Sequence, residues 1–447
     1  MRPDISQIKN IVVVMMENRS FDHALGYLSL DKFGRSDVDG IKDDPAWNAK
    51  VASIYDGAAF PPWYCNDPFH AIPKDPPHDR DDIALQLGDK VNETYPMNGF
   101  VKNYAKVCPV KPGDQTPVMS YFTDTESPIT NFLAENFAIC DRWFSSLPAG
   151  TQANRLMAMS GHSKIDKNTI ILPSHKLVYD WLDERSISWR VYHEGMPFFA
   201  MMLDQIPKIF SDKFRRFDEL DGDLEAALLE EVPKVLFIEP TYTDAPHFGP
   251  SSDDHAPTAI KSGQEFLLKV YKAISTRPDI WAGTVMIITY DEHGGFFDHV
   301  SPIPLQTNPP AGVNYPVFES SGVRVPALIV SPFVKTKTVF NGNLDHTSIL
   351  KFIGQVFGKG SYSPEVDQRK VGSVLDVLNV QTPDSPAPLA PTNLDKYLAQ
   401  VVEAVGYTPD KLPHNEIAKA FKLALDKMQG DSPAQTATKF PELVGKF

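Results

Sequence analysis

Acidic and amide side chains directly follow the two most strongly apolar runs of the chain. Glu17 and Asn18 come after one β-branched run, and Asp291 and Glu292 come after the other. Such runs predict strands that are buried on both faces of a parallel sheet, and ligands bind at the carboxyl ends of these strands. Carboxylates gathered there repel one another, so we expect a hard divalent cation at this edge. Taken singly, each acidic residue is also explained as a cap of a following helix.

A hydroxyl lies at the start of a predicted helix. Thr151 follows the small-residue turn 148–150, and the spacing of residues 152–160 predicts a helix. The free N–H groups and the dipole at a helix N-terminus favour a phosphate or sulfate there. Asn154 and Arg155, one turn on, are in a position to direct an amide and a guanidinium at the same anion. Considered alone, Thr151 is a helix N-cap.

Histidines in polar segments bordered by proline or glycine are candidate proton donors. They include His78 in the segment DPPH, His255 in the segment DDHAP, and His293 and His299 around a glycine pair. Histidine titrates near neutrality, so it suits the protonation of an alkoxide leaving group. A single loop histidine is otherwise explained as a solvated or hydrogen-bonded side chain without a chemical role.

The elements that must position these residues alternate between strands and helices over residues 5–360. Strands are predicted at 8–16, 137–141, 188–192, 235–238, 284–290 and 325–330, and helices at 128–136, 152–160, 176–185, 262–275 and 347–356. This alternation predicts one α/β domain with a mostly parallel sheet. We assign residues 1–370 to that domain. Residues 371–447 are predicted to form a Pro-rich connection and a C-terminal extension with two amphipathic helices at 393–428.

Residues 30–128 are rich in Pro, Asp, Gly and aromatic residues, which predicts a loop-rich insertion with short helices that acts as a lid or a wall of the site. Its aromatic residues either line an apolar entrance or form a small core under a lid. They are Phe60, Trp63, Tyr64 and Phe69.

Composition excludes several classes of protein. Forty-three basic and 57 acidic residues give a net charge of −14, which argues against binding to nucleic acid or to an anionic membrane. No apolar run is long enough for a membrane span, and no leader is recognisable. We therefore expect a cytoplasmic protein, or a periplasmic or secreted one if a leader has been removed. Cys65, Cys108 and Cys140 have no CxxC spacing and predict buried thiols, or one disulfide between the first two if the protein is exported.

Several segments resemble one known family, the bacterial phospholipase C and acid phosphatase family of phosphoesterases. They are VVMMENRSFDH at 13–23, DRWFSS at 141–146, TQANR at 151–155, TYDEHGGFFDHV at 289–300, GVRVP at 322–326 and DHTS at 345–348. The resemblance implies the alkaline phosphatase and sulfatase superfold, an α/β/α sandwich.

The resemblance also implies roles for individual residues. Four residues are similar to ligands of one divalent metal ion, which would be calcium, magnesium, manganese or zinc; they are Glu17, Asn18, Asp291 and Glu292. Thr151 is similar to the nucleophile, which also touches the metal. His78 and His255 are similar to histidines of the phosphate pocket, one of which acts as the leaving-group acid. The implied substrate-binding residues are Asn154, Arg155, His193 and His299.

The function implied by the resemblance is metal-dependent hydrolysis of a phosphoric ester through a phosphothreonine intermediate. The substrate is a phospholipid or a small phosphoester. Many relatives have two aspartates where this chain has Asp291 and Glu292, and some have serine at position 151. Two alternatives stay open: a phosphomonoesterase or small phosphodiesterase without lipid activity, and a non-catalytic protein that binds a phosphorylated ligand.

Overall fold

The strand Asn10–Met16 lies at the centre of the molecule and positions the functional residues. Its sequence puts aliphatic and thioether side chains on both faces, and all seven residues are buried. Burial of one such side chain contributes about 1.5–3 kcal/mol, so a strand of this composition is stable in the middle of a sheet covered on both faces. The computed structural model describes residues 3–66, 72–383, 386–391 and 413–446.

Within those ranges the strands are β1 Asn10–Met16, β2 Ser53–Tyr55, β3 Ala58–Phe60, β4 Trp63–Tyr64, β5 Ser120–Tyr121, β6 Ala138–Cys140, β7 Trp143–Phe144, β8 Trp189–His193, β9 Phe214–Arg216, β10 Val235–Glu239, β11 Thr284–Tyr290, β12 Pro304–Thr307, β13 Phe318–Ser320, β14 Ala327–Val330, β15 Thr338–Phe340 and β16 Leu344–Asp345. The α-helices are α1 Phe21–Ala24, α2 Pro45–Val51, α3 Arg80–Leu87, α4 Phe100–Tyr104, α5 Pro128–Asn136, α6 Thr151–Ser160, α7 Val178–Asp183, α8 Ile206–Ile209, α9 Leu220–Ala226, α10 Lys261–Ser275, α11 Pro278–Trp281, α12 Thr347–Phe357, α13 Pro364–Gln368, α14 Glu416–Asp431 and α15 Pro433–Lys439.

The central sheet has eight strands in the order β15-β6-β14-β11-β1-β10-β8-β9. All neighbours pair in parallel except β14, which is antiparallel to β11 and to β6. The connection from β11 to β14 contains the hairpin β12–β13 and no helix, and a parallel return needs a longer crossover that is usually helical. Every residue of β1 and β11 is buried, so both faces of the sheet are covered. The predicted α/β/α sandwich with a mostly parallel sheet is confirmed.

The predicted strands and helices of the domain match β1, β6, β8, β10, β11, β14 and α5, α6, α7, α10, α12 to within about two residues at each end, the margin at which helix limits are defined. Two strands of the central sheet were not predicted, β9 and β15. Each has three residues and lies at an edge of the sheet. Edge strands this short carry too few residues for a recognisable pattern.

The insertion at 30–128 forms a second apolar cluster beside the sheet. The cluster includes Phe60 and Phe100, and it takes in Phe296 and Phe297 from the loop after β11. Trp63 packs against it and donates from Nε1 to the Thr116 carbonyl. These aromatic residues therefore form a small core next to the loop that follows β11. Phe69 lies outside the described residues, and Tyr64 is 37% exposed.

The C-terminal helix α14 packs on the same core as the sheet. Phe421 is buried and stacks on Tyr242, with ring centroids 5.8 Å apart. Part of the tail predicted to be helical, residues 392–412, lies outside the described residues, and the domain division at residue 370 stays a prediction. In the part of the chain that the structure describes, no helix has the length and apolarity to cross a membrane. No disulfide joins the three cysteines, of which Cys65 and Cys140 are buried and Cys108 is partly buried.

Candidate active site

Parallel pairing of β1 with β11 brings the predicted metal ligands together. Met16 pairs with Tyr290, so the residues that follow the two strands start at the same level. Asp291 Oδ1 accepts hydrogen bonds from the backbone N–H groups of Asn18, at 3.2 Å, and Glu292, at 2.7 Å. Glu17, Asn18, Asp291 and Glu292 are all buried at this edge. Their roles as ligands stay a prediction.

The loop after β11 passes against Asn18 so closely that only glycine fits at position 294. Gly294 has φ +62°, and a Cβ there would lie 2.2 Å from the Asn18 carbonyl oxygen. Asn18 also has a left-handed φ of +62°, which is uncommon outside glycine, asparagine and aspartate. The Gly294 N–H donates to Glu292 Oε2 at 2.9 Å. The two loops therefore hold one another in a conformation that fixes Asn18.

Thr151 is the first residue of α6, and Gly150 is its N-cap. The sequence predicts a helix that begins just after Thr151. The structure begins it one residue earlier because Gly150, in an extended conformation, takes the capping position. Thr151 is fully buried, and its Oγ1 donates to Asn18 Oδ1 at 3.5 Å. The hydroxyl therefore lies beside a predicted metal ligand and at the helix end that favours anions.

The amide of Asn154 is directed at the turn before Thr151. Its Oδ1 accepts from the Leu147 N–H at 2.9 Å, and its Nδ2 donates to the carbonyls of Leu147, Ala149 and Gly150. We expected this amide to point at a bound anion, and the structure does not place it there. Its hydrogen bonds instead fix the turn that positions Thr151.

The guanidinium of Arg155 also differs from expectation, because it lies between two carboxylates. It contacts Glu17 Oε1 at 3.1 Å and Asp291 Oδ2 at 3.3 Å. It donates further to the Tyr242 hydroxyl at 3.0 Å and to the Met15 carbonyl at 3.2 Å. The N–H groups of Arg155, which we expected to bind the substrate anion, therefore already donate to protein groups.

His78 and His255 both approach Asn18. Their Nε2 atoms lie 3.2 Å and 2.9 Å from Asn18 Nδ2. Burial alone would lower the pKa of His78, but Glu292 and Asp75 raise it to about 9. Burial also opposes the protonation of His255, but Asp75, Glu17 and Asp244 together raise its pKa above the ordinary value. Two protonated rings and an amide N–H₂ then present donors to one another, and a phosphate oxygen between them would satisfy all three.

Three carboxylates around His255 were not predicted. Asp75 Oδ1 lies 3.5 Å from His255 Nε2, and Asp244 Oδ2 lies 3.9 Å from its Nδ1. Asp253 has a carboxylate oxygen within 4.8 Å of ligand atoms of Glu17 and His255. Burial raises the pKa of Asp244 and of Asp253 to about 6. Asp75 and Asp253 begin the segments DPPH and DDHAP, in which the histidines were identified. Their place in the same short segments could have indicated that they belong to the site.

His346 and Asn415 support this site from outside it, and sequence reasoning gave neither a role. His346 Nε2 donates to the Asp291 carbonyl at 2.6 Å, while its Nδ1 accepts from Trp143 Nε1 at 3.2 Å. Asn415, the N-cap of α14, donates to Asp244 Oδ1 at 2.9 Å. The DHTS segment was a signal for His346, whereas nothing in the sequence linked Asn415 to the site.

The structure does not bring His193 to the cluster. Its Nδ1 lies 2.7 Å from the Gly195 carbonyl, and its ring packs against Phe440. Burial lowers the pKa of His193 to about 3. The ring is therefore neutral, and its contacts give no support to the expectation that it binds substrate.

His299 likewise lies in a different group of charges. Its Nδ1 is 2.7 Å from Asp22 Oδ2, and its Nε2 is 3.2 Å from Asp39 Oδ1. Arg324 is fully buried between Asp22 and Asp298. This network connects the loop after β1 to the loop after β11. We expected His299 to bind substrate, and in the structure its ring nitrogens contact Asp22 and Asp39 instead.

The residues at the sheet edge fit a divalent cation. Burial, with Glu17 as the next cause, raises the pKa of Asp291 to about 8. Glu292 Oε1 is buried without a hydrogen-bond partner, and His78 Nε2 lies 3.9 Å from it. Buried carboxylates that lack partners are costly unless a cation neutralises them. Carboxylate, amide and hydroxyl oxygens are the ligands of hard cations.

Comparison with known proteins relates this chain to one family. A model of the Phosphoesterase family matches residues 8–359. Non-specific phospholipase C1 of Arabidopsis thaliana is 33% identical over 387 residues, which are 79% of this chain and 68% of the relative. Phospholipase C A of Mycobacterium tuberculosis is 25% identical and covers 79% of this chain and 74% of its own length. A solved protein of the alkaline phosphatase superfamily from Vibrio parahaemolyticus aligns over 59% of this chain and 64% of its own, with 14% identity and a TM-score of 0.34.

The chain belongs to the Phosphoesterase family. It is a hydrolase that acts on phosphoric ester bonds, as its phospholipase C relatives and the match over nearly all of the α/β domain indicate.

Gly294→Ala should destabilise the protein more than Gly312→Ala, although both glycines have a left-handed φ. Gly312 has φ +82° with no atom within 4 Å of a Cβ, so Gly312→Ala adds only the cost of a left-handed residue, about 1–2 kcal/mol. Gly294→Ala adds a backbone clash worth about 1–3 kcal/mol more. Denaturant unfolding of both variants measures the difference, and equal stabilities would contradict the interlocked loops.

His299 should make stability depend on pH. Asp22 and Asp39 outweigh burial and raise the pKa of His299 from 6.5 to about 9. A raised pKa in the folded state stabilises the protein fully below pH 6.5, and this contribution is lost as the pH rises through 9. We expect the free energy of unfolding of the wild type to fall by about 2 kcal/mol over this interval relative to His299→Gln. The exposed His414→Gln is the control, and parallel curves for wild type and His299→Gln would refute the expectation.

Proposed function

We propose that this chain hydrolyses phosphodiesters in the manner of a phospholipase C, through a covalent phosphothreonine at Thr151. The observation that carries the proposal is the position of Thr151 Oγ1, buried at the N-terminus of α6 and 3.5 Å from Asn18 Oδ1. Asn18 in turn contacts both kinds of group, since its backbone N–H donates to Asp291 Oδ1 and its Nδ2 lies within 3.2 Å of the imidazoles of His78 and His255. The names of the relatives, non-specific phospholipase C and phospholipase C, support this substrate class.

Glu17, Asn18, Asp291 and Glu292 would hold a divalent metal ion, with Thr151 as a further oxygen ligand. When bound, such an ion lowers the pKa of a ligated hydroxyl and neutralises charge on a transferring phosphoryl group. Oxygen ligands favour calcium, magnesium or manganese, and they do not exclude zinc. Arg155 keeps Glu17 and Asp291 in place through its two ion pairs.

The reaction uses two displacements at phosphorus. Thr151 reacts as the alkoxide, its hydroxyl proton having passed to solvent. Its Oγ1 forms a bond to phosphorus as the bond to the alcohol oxygen breaks, and His78 or His255 donates the proton that the departing alcohol takes up. Water then attacks the phosphothreonine, gives its proton to the same imidazole, and releases Thr151 and the phosphoryl group of the product. Helix N–H groups and the two imidazoles stabilise the charge that develops on the phosphoryl oxygens.

A second candidate is a phosphomonoesterase or small phosphodiesterase without lipid activity. It is favoured by the packing of Phe60 and Trp63, which belong to the small core and do not line an apolar entrance. A paired assay separates the candidates. Wild-type protein is given phosphatidylcholine, glycerophosphocholine and p-nitrophenyl phosphate, and release from the first supports the phospholipase C proposal. Release from the monoester alone would contradict it.

Thr151→Ala should lose turnover by at least about a thousandfold while folding normally, because it removes the nucleophile. Turnover is measured on whichever substrate the wild type cleaves, and folding by circular dichroism and thermal unfolding. Thr284→Ala is the matched control, since Thr284 is a buried threonine at the opposite end of β11. Normal turnover in Thr151→Ala would exclude the covalent mechanism.

Dialysis against a chelator should abolish hydrolysis, and addition of a divalent cation should restore it. Asp291→Asn should bind less metal than wild type, because it removes a charge from the sheet edge. Elemental analysis of the purified proteins measures bound metal independently of activity. Asp279→Asn is the control, since Asp279 pairs with Arg277 in the segment that precedes β11, at the other end of that strand. Full activity in metal-free protein would contradict a metal requirement.

A further inference from the structure

A surface segment is hydrogen-bonded to α6, the helix that begins with Thr151. Asn168 Oδ1 accepts from the backbone N–H of Gln152 at 3.0 Å. Gln152 Nε2 donates to the Thr169 carbonyl at 3.0 Å, and the Thr169 N–H donates to Gln152 Oε1 at 2.7 Å. Gln152 is the neighbour of Thr151 in sequence. We call residues 166–171 the rim segment, and its position next to the nucleophile is fixed by these three hydrogen bonds.

Arg80 ties the rim segment to the opposite wall of the site. Arg80 begins helix α3, two residues after His78. Its Nη1 donates to Asp166 Oδ2 at 3.0 Å, and its Nη2 donates to the Val317 carbonyl at 3.3 Å. Asp166, at one end of the rim segment, and Val317 therefore contact the same side chain, which is two residues from His78.

Apolar side chains are exposed at this place. Ile170 is 39% exposed, Ile171 is 65% exposed and Val317 is 40% exposed. Isoleucine and valine are usually buried, and a group of them at the edge of a site marks a surface that meets an apolar partner. Lys167, also exposed, adds a positive charge of the kind that lipid phosphates attract.

We propose that the rim segment, with Val317, is the surface on which the enzyme contacts a phospholipid aggregate, with the acyl chains against Ile170 and Ile171. This inference rests on the proposed function and deepens it, because it locates lipid recognition outside the aromatic insertion. The hydrogen bonds from Gln152 then place the phosphodiester of a lipid held at the rim beside Thr151. A soluble substrate has no acyl chains and does not need this surface.

The test compares one pair of substitutions on two substrates. The variant Ile170→Ser/Ile171→Ser and the wild type are given phosphatidylcholine vesicles and glycerophosphocholine, which have the same phosphodiester headgroup with and without acyl chains. Because two apolar anchors are lost, vesicle hydrolysis and vesicle co-sedimentation should fall at least about tenfold, while glycerophosphocholine hydrolysis stays within about twofold of wild type.

The matched control is Leu228→Ser/Leu229→Ser. These neighbours are similarly exposed, at 60% and 43%. They precede the N-terminal end of β10, whereas the site lies at the C-terminal ends of the parallel strands. This control should behave as wild type in every assay. An equal loss in both pairs would overturn the proposal.

Two further results would overturn the role of the rim segment. One is unchanged vesicle hydrolysis in the Ile170→Ser/Ile171→Ser variant. The other is an equal fall on both substrates, which would assign the segment only to the support of the turn at Thr151. A wild type that hydrolyses neither phosphodiester would instead refute the proposed function, and vesicle co-sedimentation would still decide whether the rim segment binds lipid.

Discussion

Three buried carboxylates meet at one edge of the sheet, and the arrangement of the surrounding chain responds to their mutual repulsion. Glu17 and Asp291 share the guanidinium of Arg155, at 3.1 Å and 3.3 Å. Glu292 lies near two histidines instead, with its Oε2 3.2 Å from His293 Nδ1 and its Oε1 3.9 Å from His78 Nε2. Burial of like charges in a low-dielectric interior is costly unless positive charge is supplied. One arginine neutralises only part of this charge, which leaves room for a cation and explains why histidines with raised pKa values gather around Asn18.

The scaffold keeps these groups in place through backbone pairing more than through side-chain contacts. β1 and β11 pair in parallel over their whole length, so the residues after them start in register. Gly294 and Asn18 then interlock the two loops, and Asn154 fixes the turn at Gly150. Neither Gly294 nor Asn154 needs to touch a substrate. Each sets the position of a group that the proposed mechanism uses, Asn18 in the first case and Thr151 in the second.

Sequence reasoning identified what depends on local pattern. The β-branched runs gave β1 and β11, and with them the placement of Glu17 and Asp291. It failed where tertiary contacts decide the orientation of a side chain. Arg155 and Asn154 are in the right place along α6, but they point at Glu17 and at the turn, because buried carboxylates and carbonyls compete for their N–H groups. His193 and His299 also lie in other environments, and no sequence spacing could show that the first contacts the Gly195 carbonyl and the second contacts Asp22 and Asp39.

Transfer of the phosphoryl group through Thr151 is tested most directly by the configuration at phosphorus before and after the reaction. A phosphodiester made chiral at phosphorus by sulfur substitution is hydrolysed in oxygen-18 water, and the configuration of the product is determined. Two in-line displacements, first by Thr151 and then by water, each invert the configuration, so we expect net retention. Net inversion would mean that water attacks the substrate directly, and it would contradict a covalent intermediate at Thr151.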